Sequence, residues 1–292
     1  MSQARQLDKA SRVVKSNQLI QSRIGWTKLE HRIVAIMIAQ LEKDDEEFHL
    51  QRVYIKDLIN MTGRSGGSIY PQIEEVCKKL VEQTVEVRSE TEEGRRIYDV
   101  YSVMTRCRYK EGSGYVEAKF NEDMRPMLLQ LKRRFTQYGL ENFMLLSSQH
   151  SMRIYELLKM REGLRFLRIS VQELREVLYC EHSYERFSDF RRWVIDRAQE
   201  ELEEKTDIWF TYKVEREGRS PVRVNFFIKR SGENERRNKI KGGNAGAKAQ
   251  PETEEADNDA RQPPNVNIYE MLLEDMTQKQ LNRHETEDIR SA

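Results

Sequence analysis

The chain has 292 residues, of which 38% are hydrophobic and 34% are charged, and its formal net charge is +1. This length supports about two domains with hydrophobic cores. No apolar run is as long as a membrane span and the N-terminus has no signal-peptide pattern, so we expect a cytoplasmic protein without membrane contact. The three cysteines are far apart and lack CxxC spacing, which indicates neither a disulfide framework nor a zinc site.

The charges are unevenly distributed along the chain. Residues 251–292 hold 11 acidic and 4 basic residues, a net charge of −7, whereas residues 1–250 hold 38 acidic and 46 basic residues, a net charge of +8. A basic body favours a polyanionic partner. Residues 231–292 are polar, with little to bury, which predicts a disordered tail with one candidate amphipathic helix at 267–283.

The first half of the chain alternates helical and strand patterns. Residues 1–17 are polar and are predicted to be mobile. Apolar spacing then predicts a helix at about 27–43, a short strand, a short helix closed by Gly63, and a helix entered near Ser68 and Pro71. Three alternating strand segments follow up to residue 120. This order is typical of a winged helix, and the exposed entry of its helix-turn-helix would hold Arg64, Ser65, Ser68 and Gln72.

The second half repeats that order. Residues 121–162 have a helical pattern broken at Gly139, and a strand, a helix capped by Ser170, a helix at 184–205 and a hairpin follow. The sequence therefore predicts an α+β fold with two tandem winged-helix domains, at 18–135 and 136–230.

The helix at 184–205 is amphipathic and basic. Its apolar face is predicted to hold Tyr184, Phe187, Phe190, Val194, Ala198 and Leu202. Arg191, Arg192 and Arg197 border the opposite surface, and the following hairpin carries Arg216, Arg219 and Arg223. This pattern suits a helix in a DNA major groove with a wing on phosphates. A solvated helix with internal salt bridges is the alternative interpretation.

The sequence contains no pattern that indicates catalysis. The five histidines lack metal-ligand spacing and no GxxxxGK[ST] loop occurs, so we expect no enzyme activity, no metal and no cofactor. The three tryptophans are predicted to be core anchors rather than base-stacking platforms.

Three segments carry a family resemblance. They are SNQLIQSRIGWTKLEHRIVAIMIAQL, FTQYGLENFMLLSSQHSMRIYELLK and ERFSDFRRWVIDRAQEELEEKTDIWFTYK. On the basis of these segments, residues from about 16 to 230 resemble the winged-helix replication initiators of iteron-carrying, theta-replicating bacterial plasmids. Trp193 departs from the pattern because a smaller or polar residue is expected there.

The resemblance implies a protein that binds direct repeats in double-stranded origin DNA and assists origin opening. It assigns base reading to the second domain, at Ser188, Asp189, Arg191, Arg192 and Arg197, with wing contacts from Arg216, Arg219 and Arg223. The first domain would make auxiliary DNA contacts and form the interface of a homodimer in equilibrium with the monomer. Such dimers would repress the protein's own gene, and the host replication initiator and replicative helicase would be further partners.

Three other functions compete with this interpretation. A tandem winged-helix transcriptional regulator would bind one inverted repeat instead of an array of direct repeats. A rolling-circle nicking enzyme would need a paired-histidine metal site, which the sequence lacks. A protein-interaction scaffold would show no salt-sensitive DNA binding.

Overall fold

The computed structural model describes residues 7–8, 10–62, 70–91, 93–129 and 131–231. Arg64, Ser65 and Ser68 lie outside the described residues. So do residues 232–292 of the tail, with the candidate helix at 267–283. Among the described residues, no helix combines the length and apolar character needed to cross a bilayer.

The first half contains fourteen described α-helices and β-strands. In chain order they are β1 (Arg12–Ser16), α1 (Asn17–Gln21), α2 (Lys28–Ala39), β2 (Gln51–Tyr54), α3 (Ile55–Thr62), α4 (Ile73–Glu82), β3 (Thr84–Glu90), β4 (Arg96–Ser102), β5 (Met104–Tyr109), β6 (Tyr115–Phe120), α5 (Arg125–Leu128), β7 (Phe135–Gly139), α6 (Leu140–Leu145) and α7 (Gln149–Met160). The elements α2, β2, α3, α4, β5 and β6 follow the winged-helix order, and the β3–β4 hairpin is inserted before β5.

Local signals position the first winged helix. Thr27 caps α2 and forms a capping box with Glu30, which fixes where this buried helix begins. Antiparallel strands β2, β6 and β5 form a three-stranded sheet in that order, and β3 pairs with β4 in a separate two-stranded sheet. Helix α4 buries Ile73, Val76 and Leu80 in the core.

The N-terminal segment is structured in a way that the sequence pattern does not predict. Residues 12–16, expected to be mobile, form β1, which pairs antiparallel with β7. Residues 135–139, expected to be helical, form β7. The predicted division between residues 135 and 136 falls after the first residue of β7, and the exact division between the domains stays a prediction.

A buried charged cluster explains why this polar strand folds into the interior. Lys15 of β1 donates to Glu156 of α7 at 2.6 Å, and Arg153 donates to the same carboxylate at 2.6 Å. Tyr138 of β7 also donates to Glu156, and Arg153 donates to the carbonyl of Ile20. Each of these buried charges has a partner, so β1 can bury Lys15 together with the apolar Val13.

The second half follows the predicted order. Its elements are β8 (Phe166–Ser170), α8 (Val171–Val177), α9 (Phe187–Phe190), a π-helical segment (Arg191–Asp196), α10 (Arg197–Lys205), β9 (Ile208–Glu217) and β10 (Ser220–Arg230). Ser170 caps α8, as its sequence predicts, by accepting a hydrogen bond from the amide of Glu173. Strand β10 lies between β8 and β9 in an antiparallel sheet.

Helix α7 connects the two halves. Eight consecutive residues of α7, from Ser151 to Leu158, are buried. It packs against β7 and α1 of the first half and against α10 of the second. The orientation of α10 is therefore fixed from the first half of the molecule.

Candidate nucleic-acid interface

One continuous helix spans residues 187–205 and comprises α9, the π-helical segment and α10. In a π-helix the hydrogen bond reaches one residue further than in an α-helix, so each residue turns less about the axis. Consecutive side chains consequently cover a narrower arc. Three successive residues, Arg191, Arg192 and Trp193, are all exposed. Short π-helical segments occur frequently at functional sites.

The predicted division into two faces agrees with the burial of the side chains. Phe190, Val194, Ala198 and Leu202 are buried, together with Ile195. Ser188, Asp189, Arg191, Arg192 and Arg197 are all exposed. Tyr184 and Phe187 are only partly buried, although both pack against the core, and Tyr184, with a positive φ of 56°, lies in the turn before the helix.

The turn that precedes the helix is held by an arginine. Arg175 of α8 donates to the carbonyl oxygens of Ser183 and Tyr184, both at 2.8 Å. Its guanidinium also lies 4.4 Å from the centre of the Phe190 ring. These contacts fix the start of the 187–205 helix, which is the end that faces the bases in a helix-turn-helix.

The wing strand β9 is attached directly to this helix. Gln199 donates to the carbonyl of Phe210 at 2.8 Å, and the hydroxyl of Tyr212 donates to Asp196. Burial raises the pKa of Tyr212, and the hydrogen bond to Asp196 raises it further, so this hydroxyl stays protonated as a donor. The helix and the wing therefore form one rigid surface.

The arginines of the helix differ in how their charges are balanced. Arg191 lies 3.6 Å from Asp196, and Arg197 lies 3.2 Å from Glu201. Burial disfavours ionisation of Glu201, but hydrogen bonds from Ser147 and Arg197 hold its pKa below its usual value. Arg192 pairs with no carboxylate in the described part of the chain, and its guanidinium lies 5.0 Å from the centre of the Trp193 ring. Arg192 is thus the helix arginine most available to an external anion.

The three wing arginines also differ. Arg219 is exposed beside Gly218, which adopts the positive φ of 61° that the turn requires. Arg216 is exposed, and its guanidinium donates to the carbonyl of Arg219 at 2.9 Å, which orders the tip. Arg223 lies 3.7 Å from Glu215 and 3.8 Å from Glu217. Of the three wing arginines, Arg216 and Arg219 are therefore the ones whose charge is available.

The corresponding helix of the first half has a different surface. Gln72 is exposed at the start of α4, as predicted. The next exposed side chains, Glu74 and Glu75, place two carboxylates in the first turn. Carboxylates at this end would repel phosphates, so α4 is less suited to a major groove than the 187–205 helix.

Some features of this surface have no clear counterpart in the sequence prediction. The expectation that Trp193 is a core anchor is wrong, because its side chain is 50% exposed, whereas Trp26 is buried as expected. Arg186, immediately before the helix, and Lys213 on β9 are further exposed basic residues. The position of Arg186 next to a predicted helix start could have identified it, whereas the exposure of Lys213 depends on the strand register.

Comparisons with known proteins agree with this architecture. The model of the family "Initiator Replication protein, WH1" matches residues 12–159, and that of "Initiator Rep protein, WH2" matches residues 170–228. A "Replication initiation protein" of Escherichia coli is 27% identical over 199 residues, which cover 65% of this chain and 61% of that protein. The "PI protein" of Escherichia coli is 32% identical over 136 residues, which cover 40% of this chain and 45% of that protein. The matched segments thus span less than two thirds of either relative.

A solved structure shares the fold. The crystal structure of the Pi initiator protein in complex with iteron DNA matches with a TM-score of 0.65 at 22% identity, over 77% of this chain and all of that chain. The prediction of two tandem winged helices is confirmed. The chain therefore belongs to the family of initiator replication proteins with the winged-helix domains WH1 and WH2.

Proposed function

We propose that this protein initiates plasmid replication by binding repeated sites in double-stranded origin DNA through the 187–205 helix and the β9–β10 wing. The observation that carries this proposal is the rigid surface on which Arg192 of the helix and Arg219 of the wing are exposed without carboxylate partners in the described part of the chain. The Pi initiator, whose fold is similar, has been crystallised with iteron DNA.

Different parts of this surface would have different roles. Ser188, Asp189 and Arg192 would contact base edges in the major groove, with Arg191 and Arg197 beside them. Arg216 and Arg219 would contact phosphates, and Arg223 would mainly order the wing through Glu215 and Glu217. Several bound copies would bend the origin and favour the opening of adjacent DNA, a step for which we assign no enzyme activity to this chain.

The first domain would supply auxiliary DNA contacts and a dimer interface. Strand β4 pairs with β3 along one edge, and no other described strand pairs with it. It exposes Ile97, Tyr98 and Val100, with 36%, 58% and 51% of their surfaces accessible. Unprotected edge strands readily pair with a second chain, so a homodimer in equilibrium with the monomer would use this edge.

The family resemblance implies two further roles. The dimer would bind an inverted operator and repress the protein's own gene, and the bound monomers would engage the host initiator and replicative helicase. These activities place the protein in the bacterial cytoplasm with its DNA.

The proposal is tested by DNA footprinting of the purified protein on the few hundred base pairs that flank its gene, at several salt concentrations. We expect protection of regularly spaced direct repeats, with an affinity that falls steeply as salt rises. Protection of one inverted site only would instead favour a transcriptional regulator. No protection would refute DNA binding and favour a scaffold.

A further inference from the structure

Trp193 lies on the exposed face of the 187–205 helix, between an arginine and the buried stripe. Its side chain is 50% exposed, while the next residue, Val194, is 1% exposed. The indole therefore extends outward from the helix. Half of this aromatic surface stays in contact with water, so burial accounts for only part of what the residue does.

The indole is held in position by its neighbour. The guanidinium of Arg192 lies 5.0 Å from the centre of the Trp193 ring, within the range of a cation–π contact. A guanidinium in this position contacts the ring and still has N–H groups to donate to another acceptor. The pair therefore presents a flat apolar group beside a fork of donors.

The major groove offers matching partners for these two groups. Guanine presents O6 and N7 as acceptors for an arginine fork, and the 5-methyl of thymine is the apolar group on the groove floor. A phosphate could accept a hydrogen bond from the indole N–H, but it would offer no apolar partner to the ring. The π-helical segment (Arg191–Asp196) places Arg192 and Trp193 on the same exposed arc, so both can face one groove.

We propose that Trp193 is a specificity residue that contacts a thymine methyl group in each bound repeat, next to a guanine contacted by Arg192. This inference rests on the proposed function, because it requires sequence-specific binding by the 187–205 helix. It adds a hydrophobic contact to an interface that the arginines alone would make purely polar, and it predicts a guanine adjacent to a thymine within each repeat.

The test uses synthetic duplexes that carry one footprinted repeat, in which each thymine is replaced in turn by deoxyuridine. This replacement removes the methyl group and keeps the base pairing. For the wild-type protein, we expect about a fourfold loss of affinity at one thymine, the factor expected for one buried methyl group. The same replacement should change the affinity of Trp193→Ala and Trp193→Gln by less than about 1.5-fold, since a missing contact cannot be lost again.

The control variant is Trp209→Phe. Trp209 also has a cation over its ring, Lys229 at 4.5 Å, but it lies on β9 rather than on the helix. We expect this variant to keep the full response to the missing methyl group. Circular dichroism checks that each variant is folded, and Trp193→Gln provides a second measurement should Trp193→Ala fold poorly.

Four outcomes would overturn the inference. If no single thymine is sensitive in the wild-type protein, Trp193 contacts no methyl group. If the Trp193 variants retain the methyl response, another residue makes the contact. If they bind every duplex as tightly as the wild-type protein does, Trp193 does not contact the DNA. If the wild-type protein has no sequence preference, the proposed function fails together with the inference, and that result is recognisable before any variant is made.

Discussion

The two most available arginines occupy different parts of the surface and should differ in what they recognise. Arg192 lies on the helix that would enter the groove, whereas Arg219 lies at the tip of the wing. Contacts to base edges carry sequence information, and contacts to phosphates carry affinity without sequence information. Replacing each arginine by alanine separates these two contributions.

For Arg192→Ala, we expect the preference for the specific repeat over random DNA to fall by about 1–3 kcal/mol, the value of one bidentate arginine–guanine contact. The fold should remain intact because the side chain is exposed and pairs with no described carboxylate. Competition binding against random duplex measures the preference, and circular dichroism checks the fold. Unchanged discrimination, or an unfolded variant, would show that Arg192 does not face the bases.

For Arg219→Ala, we expect weaker binding to all sequences and a salt slope smaller by about 1, because one phosphate contact is lost. Discrimination between specific and random DNA should be retained. Arg223→Ala is the matched comparison on the same hairpin, and it should reduce the slope less because Glu215 and Glu217 already neutralise that arginine. A slope that Arg219→Ala leaves unchanged would exclude the wing tip from the DNA contact.

At the scale of elements, the buried cluster around Glu156 should make β1 essential for stability. Lys15 has 1% of its side chain exposed and pairs with a fully buried carboxylate, whereas Lys119 pairs with Glu122 at 37% and 45% exposure. Removing one partner of a buried ion pair costs about 3–5 kcal/mol, and an exposed pair contributes about 0–1 kcal/mol. Urea unfolding of Lys15→Met and Lys119→Met should show this contrast. Equal stability of the two variants would contradict the role of the cluster.

Because of the same cluster, we expect the protein to lose stability at acidic pH. Burial disfavours ionisation of Glu156, but the charges of Lys15 and Arg153 lower its pKa to about 2 from 4.5. A carboxyl whose folded pKa is depressed contributes stability above its unfolded pKa and loses that contribution as the pH falls through the folded value. Stability should therefore decrease between about pH 4.5 and pH 2. In Glu156→Gln this part of the pH dependence should be absent, as measured by urea unfolding at several pH values.

Elements whose signals are local were predictable from the sequence. The cap at Ser170, the capping of α2 and the β9–β10 hairpin depend on residues close in the chain, and the structure contains all three. The pairing of β1 with β7 was not predictable, because the strands are more than one hundred residues apart and Lys15 conceals the burial of β1. The π-helical segment also has no local sequence signature. The sequence therefore predicted a buried Trp193, whereas the residue is half exposed.

In the candidate site too, local spacing was predictable from the sequence and contacts between distant residues were not. Helical spacing places Arg192 opposite the apolar stripe and Arg191 and Arg197 on its two flanks, and all three are exposed. Spacing does not reveal which of them meets a carboxylate, because Glu201 is also held by Ser147 from before α7. The sequence predicts Arg223 as a wing cation, but the strand register places it opposite Glu215. Tertiary pairing thus decides the effective charge of each arginine.

At the scale of the whole molecule, a contact around Arg23 joins the two domains in addition to helix α7. Arg23, between α1 and α2, pairs with Glu86 of β3 at 2.6 Å and with Glu181 of the second domain at 2.5 Å. Its guanidinium lies 4.1 Å from the centre of the Tyr179 ring. That ring occupies the space beside Gly25, where a Cβ would lie only 2.7 Å from a ring carbon. A side chain at position 25 would therefore force the Tyr179 ring to move away from the contact between the domains.

Gly25→Ala should consequently destabilise the protein by about 1–3 kcal/mol, the usual cost of overpacking. Gly163→Ala is the control, because a Cβ at that position meets no atom within 4 Å, and it should be neutral or slightly stabilising. The loss caused by Gly25→Ala should disappear in a Tyr179→Ala background, since the clashing ring is then absent. Urea unfolding of the single and double variants measures this coupling. If Gly25→Ala costs as much without Tyr179 as with it, the cost arises within the first domain and the contact between domains does not depend on Gly25.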